Sequence, residues 1–186
     1  MEANKEQMID HMTTDRGMLT KEVTDGESKK HNQLDRERSI KILNSFIELN
    51  NDRIAGYDAA SIETREADLT ALFILFSYTS RKCSDEMTIE VLDLGGVPTT
   101  GFNTHNHFFK AYQVVKVMPT AHNREAILTA CLHGEDMLHE AYQNVLSNAL
   151  NDISDDLRNM LNAQHDLLKT DRDKVKSVRT LMLAHL

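Results

Sequence analysis

From Asp35 onward, apolar residues recur at spacings of three and four, the period that gathers side chains on one face of an α-helix. The first such run, over about 36–61, carries Leu43, Phe46, Ile47, Asn50, Ile54 and Tyr57. The second, over about 66–94, carries Leu69, Leu72, Phe73, Phe76, Ser80, Cys83, Met87, Val91 and Leu94. Gly95-Gly96 and then Pro98 end it, as a C-terminal glycine and a following proline should. The third run, over about 124–149, carries Ile127, Cys131, Glu135, Leu138, Tyr142 and Val145. The fourth opens after Ser154, an N-cap residue followed by Asp155 and Asp156 in the first turn. Its stripe is Leu157, Leu161, Gln164, Leu168, Arg172, Val175 and Val178; a one-residue slip would put Asp171 in place of Arg172.

Short links join the first run to the second and the third to the fourth, which makes each pair an antiparallel hairpin. The middle connection, 97–123, is long. Its amphipathic segment Phe108, Phe109, Tyr112, Val115, closed by Pro119, predicts a short extra helix over the bundle. The expected architecture is an all-α antiparallel four-helix bundle over 35–186, with helices roughly 35–40 Å long. Residues 1–34 carry no apolar stripe. They predict a flexible polar tail with one short helix near Lys5–His11, and a segment of that kind is a docking element for a protein partner.

Composition narrows the function classes. With only 7 Gly and 2 Pro in 186 residues, a many-stranded β fold lacks its turns. A net charge of -8 and the lack of a basic patch with interleaved aromatics argue against nucleic-acid binding. No apolar run approaches the roughly 20 residues of a membrane span, and the start has no apolar leader core, so a cytoplasmic protein is expected. Cys83 and Cys131 fall within apolar stripes without metal-ligand spacing and read as buried, reduced thiols. No P-loop, nucleophile elbow or dinucleotide fingerprint is present.

A weak internal repeat links the two hairpins. Asn50 precedes Tyr57 by seven residues, and Glu135 precedes Tyr142 by the same two turns. The segment Ile47-Glu48-Leu49-Asn50-Asn51-Asp52-Arg53-Ile54-Ala55-Gly56-Tyr57 resembles the first helix of a small family of bacterial ferritin-like four-helix-bundle proteins of unknown function. Leu94-Gly95-Gly96-Val97-Pro98, Gly134-Glu135-Asp136 and Ala141-Tyr142 extend the resemblance, which covers about 35–184.

The resemblance implies a ferritin-like fold and a place for a di-iron site. In the wider superfamily each tyrosine follows a glutamate by two turns, and the second and fourth helices each add a Glu-x-x-His pair. That spacing converges anionic oxygens and imidazoles on two cations. Here the first glutamate position is Asn50, and the second-helix pair falls on Ser80 and Cys83. The fourth-helix histidine falls on Arg172, with Leu168 and Lys169 where the carboxylate would be, and Glu135 alone is kept.

The expectation is therefore a buried hydrogen-bonded network of Asn50, Tyr57, Ser80, Cys83, Glu135, Tyr142, Gln164 and Arg172, with Glu135 paired to Arg172. No catalytic residue and no cofactor are expected, and the protein reads as a non-enzymatic interaction or stress-associated module. The alternative is an iron- or manganese-binding oxidoreductase or storage protein with an atypical site at Glu135, Asp171 and His165. Asp136-x-x-His139 has ligand spacing but lies off the stripe and is expected to face solvent. His105 and His107 alone are weak ligand candidates. An exposed aromatic connector, Phe102, Phe108, Phe109 and Tyr112, would favour a homo-oligomer, most simply a dimer.

Overall fold

The computed structural model describes the backbone of residues 3–102, 124–148 and 153–184, and the side chains of 32–62, 64–102 and the two later segments. Among these residues there are four helices: α1 Ala3–Glu63, α2 Ala67–Asp93, α3 Arg124–Asn148 and α4 Asp155–Leu183. The predicted connector helix and the histidines His105 and His107 lie outside the described residues, as do Phe108, Phe109 and Tyr112. Phe102, the one connector aromatic described, is exposed.

The chain divides into two compact units, Met1–Arg38 and Ser39–Leu186. The first is helical from Ala3, where the periodicity predicts a tail with the bundle's first helix starting near Arg36. The segment has no proline, and its two interior glycines cost only about 1 kcal/mol each relative to alanine. Helical backbone needs no apolar stripe, and stripe-reading cannot detect it. Side-chain pairing of the i, i+4 kind is present at its end, where Gln33 Nε2 donates to Glu37 Oε1 at 2.8 Å.

The second unit is the bundle. Residue pairs fix its directions: Arg53 meets Ser80 while Asp58 meets Ser77, so α1 and α2 run antiparallel. Asn50 meets Tyr142 while Tyr57 meets Glu135, so α1 and α3 do too. Asp136 meets Arg172 and Thr129 meets Arg179 across an antiparallel α3–α4 hairpin.

The helix ends follow from local chemistry. Ser154 Oγ accepts from the Leu157 amide at 3.2 Å, capping α4. At the end of α2, Gly95 adopts φ +74, and the Gly96 and Gly95 amides donate back to the Val91 and Leu92 carbonyls. This paired closure satisfies carbonyls that the helix leaves open. A Cβ at Gly96 would sit 2.9 Å from Ile40, so the turn lies close against α1. Asn44 then holds the strand of chain beyond it, donating to the Val97 carbonyl and accepting from the Thr99 amide.

Two apolar clusters fill the bundle. One gathers Leu43, Phe46, Ile47, Met87, Val91, Leu138 and Leu161. The other gathers Leu69, Phe73, Phe76, Ile127, Leu128 and Val175. Between their midpoints lies a layer of buried polar side chains: Arg53, Ser80, Glu135 and Asp171.

Candidate functional site: an arginine at the bundle centre

Arg53 points into the bundle from α1 and is fully buried. Its Nε donates to Glu135 Oε1 at 2.9 Å. Its Nη2 donates to the same oxygen at 2.7 Å and to Asp171 Oδ2 at 3.3 Å. Its Nη1 donates to the Phe76 carbonyl at 2.8 Å and to Ser80 Oγ at 2.9 Å. A guanidinium has five N–H donors, and every one is used. The plane also lies over the rings of Tyr57 and Phe76, with centroids 5.0 and 5.4 Å from Cζ.

One helix therefore supplies a cation, and three others supply its acceptors. Glu135 comes from α3, Asp171 from α4, Ser80 and a main-chain carbonyl from α2. Tyr57 adds a third donor to Glu135 Oε1. Lys174 reaches the other oxygen of Asp171 at 3.4 Å, from a half-exposed position. Burial by itself lowers the Arg53 pKa, but Glu135, Tyr57 and Asp171 outweigh it and hold the guanidinium charged. Burial raises the Glu135 pKa, and Arg53 and Tyr57 oppose that rise. Burial, then Glu135, pushes the Tyr57 phenol well up, so it stays a donor.

A second chain of polar contacts lies one to two turns away. The Asn50 amide donates to the Phe46 carbonyl and, at 3.2 Å, to the Tyr142 hydroxyl. Tyr142 donates to Gln164 Oε1 at 3.2 Å, and Gln164 donates to the Cys83 carbonyl and to Glu86. The Asn50 carbonyl oxygen is buried without a partner. The two arms of the sequence repeat cross: Tyr57 bonds the carboxylate of Glu135, and Tyr142 bonds the amide of Asn50. The antiparallel α1–α3 pair causes this, because it sets residue 57 opposite 135 and residue 50 opposite 142.

Most of the expected residues meet here, with two corrections. Glu135 pairs with Arg53, not with Arg172. Arg172 sits at the bundle surface and donates to Asp136 Oδ1 at 2.5 Å. Consecutive helical residues differ by about 100° in direction, and Asp171 takes the inward place. Cys83 is buried and contributes its main-chain carbonyl rather than its thiol. Arg53 itself is not among the expected residues. It stands three after Asn50 and four before Tyr57, a spacing that allows the inward face, but a charged residue there reads as solvated.

His139 and His165 also depart from expectation. Both are part-buried and stack at 4.5 Å between centroids, with His165 Nε2 2.8 Å from His139 Nδ1. His165 therefore lies against His139 and Tyr142 rather than beside Glu135 and Asp171. Burial lowers the pKa of both rings; Arg172 and Lys169 lower His139 further, and His139 lowers His165. Among the described residues, no three His, Cys, Asp or Glu side chains are placed to hold a metal ion together. Among them, too, no helix is long and apolar enough to cross a membrane.

Comparison with known proteins agrees with this geometry at the level of the fold. A crystal structure of an archaeal dps-homologue from Halobacterium salinarum is similar, with a TM-score of 0.62 over 78% of this chain and 81% of that one. At 18% identity this likeness shows the ferritin-like four-helix fold alone. No curated protein matches the chain. The family model described as Domain of unknown function (DUF2383) matches residues 38–148, more than half of the chain and including Arg53, Tyr57, Ser80, Glu135 and Tyr142. The chain belongs to that family.

Proposed function

We propose that this protein is a non-enzymatic helical-bundle module, self-associating and cytosolic, whose centre is closed by its own cation. The observation that carries this is the Arg53 guanidinium lying between Glu135 and Asp171. A ferritin-like fold invites a di-metal site at the bundle axis, and the residues present do not fit one. The two carboxylates of the layer are both engaged by a fixed positive charge, and a dication placed there would be repelled by it. Asn50 and Ser80 offer only neutral oxygens, and among the described residues no imidazole joins the layer's carboxylates in a metal-ligand cluster.

The same layer suits a structural task. A satisfied buried ionic network holds four helices in one register, whereas an apolar layer tolerates sliding. The two buried free cysteines accord with a reducing compartment. The alternative reading, an iron or manganese site at Glu135, Asp171 and His165, needs His165 to leave His139 and Arg53 to leave both carboxylates.

The test is metal content. Protein purified without chelator from cells grown with added iron, manganese and zinc should carry far less than one metal per chain. Stoichiometric metal that disappears in Glu135→Gln would overturn the proposal.

A further inference from the structure

The outer face of α2 carries a pattern that the bundle does not use. The helix buries Phe73, Phe76, Ser80, Cys83 and Met87 on one side. On the opposite side Tyr78, Ile89 and Leu92 are 66%, 58% and 57% exposed, and Leu75 is nearly half exposed. Between the two apolar groups runs Arg81-Lys82-Cys83-Ser84-Asp85-Glu86, two cations followed, one turn on, by two anions.

This order is self-complementary under an antiparallel two-fold. Let a second α2 lie antiparallel on the first, centred between residues 83 and 84. Arg81 then lies beside Asp85 of the other copy on one edge of the face, and Lys82 beside Glu86 on the other edge. Tyr78 meets Ile89, and Leu92 meets Ile74, which is also exposed. All these side chains lie within about 70° of the face's midline at 100° per residue. A parallel two-fold pairing, which must be in register, would set like charges together. An antiparallel one satisfies each charge and buries each apolar residue twice, as an isologous two-fold interface requires. The present engagements of these charges leave room for it. Lys82 holds one Glu86 oxygen only at 3.9 Å, Gln164 donates to the other at 2.9 Å, and Asp85 is exposed. Arg81 reaches Asp58 at the edge of the face.

We infer that α2 is the homodimer interface of this protein, its outer face docking antiparallel on the same face of a second copy. This deepens the self-association proposed above and is independent of what occupies the bundle centre.

The experiment is sedimentation or light scattering of the full chain from low to high micromolar concentration. The mass of two chains is expected. Tyr78→Glu should give one chain. Arg81→Glu and Asp85→Lys should each weaken association by about tenfold or more, by placing like charges side by side. Their combination should restore it, because the exchanged charges again face opposites. All three sites are exposed, so circular dichroism and the denaturation midpoint should match the parent chain and separate dissociation from misfolding. A monomeric parent chain overturns both the interface and the self-association. A dimer indifferent to these variants overturns the interface alone and assigns association to another surface. A double variant that stays dissociated overturns the antiparallel register.

Discussion

Replacing Arg53 with methionine tests the energetics of the bundle centre most sharply. R53M keeps most of the stem's length and removes the charge with all five donors. Glu135 and Asp171 then remain buried with no cation between them, and Ser80 Oγ and the Phe76 carbonyl lose their donor. Removing one partner of a buried ion pair costs about 3–5 kcal/mol, a large share of the roughly 5–15 kcal/mol that stabilises a domain. With a urea slope of roughly 2 kcal/mol/M, the unfolding midpoint should fall by about 1.5–2.5 M. Adding E135Q should recover part of the loss, since it removes one stranded charge. The double-mutant cycle should therefore show coupling on the order of 1–3 kcal/mol. A midpoint shift under about 0.3 M for R53M, or strictly additive effects of the two changes, would refute the claim that this pair is buried and coupled.

Two further predictions concern titratable groups. The folded pKa values of His139 and His165 lie below the ordinary value of 6.5. Their contribution to stability is thus present above pH 6.5 and lost as the pH falls through the folded values. The denaturation midpoint should drop between pH 7.5 and pH 5.5, and less so in a His139→Gln/His165→Gln variant; an equal drop in both proteins would remove the pair as the cause. Burial raises the Cys83 thiol to about 12, and burial followed by Glu135 raises Cys131 as well. Neither should react with an aromatic disulfide reagent at pH 8 until urea unfolds the chain, and rapid labelling of either in the folded protein would contradict the burial.

Much of this was legible in the sequence, for identifiable reasons. A period of 3.6 residues marks an amphipathic helix whatever its neighbours are, so 67–93 and 124–148 are legible nearly to their ends and 155–183 from its start. Gly95-Gly96 and Ser154 marked termini because backbone closure and capping are local acts. The inward direction of Asn50, Tyr57, Glu135, Tyr142 and Gln164 followed from the same period.

What was missed depends on partners. The spacing of Arg53 allows the inward face, yet whether an arginine there is buried rests on Glu135 and Asp171, more than eighty residues away. Asp171 and Arg172 compete for one direction, and only packing against α1 and α3 separates them. His139 lies off its own helix's stripe, and its partial burial comes from the α4 side chain stacked on it. The helical backbone before Arg36 has no stripe at all, so periodicity was silent where local propensity was sufficient.

The central claim is that a guanidinium, not a metal, sits at the bundle axis. Anomalous diffraction from crystals grown with excess ferrous, manganous or zinc ion addresses it directly. The account predicts flat guanidinium density within hydrogen-bond distance of Glu135 and Asp171, with no anomalous peak between those carboxylates. A peak there, with Arg53 swung out of the layer, would contradict it.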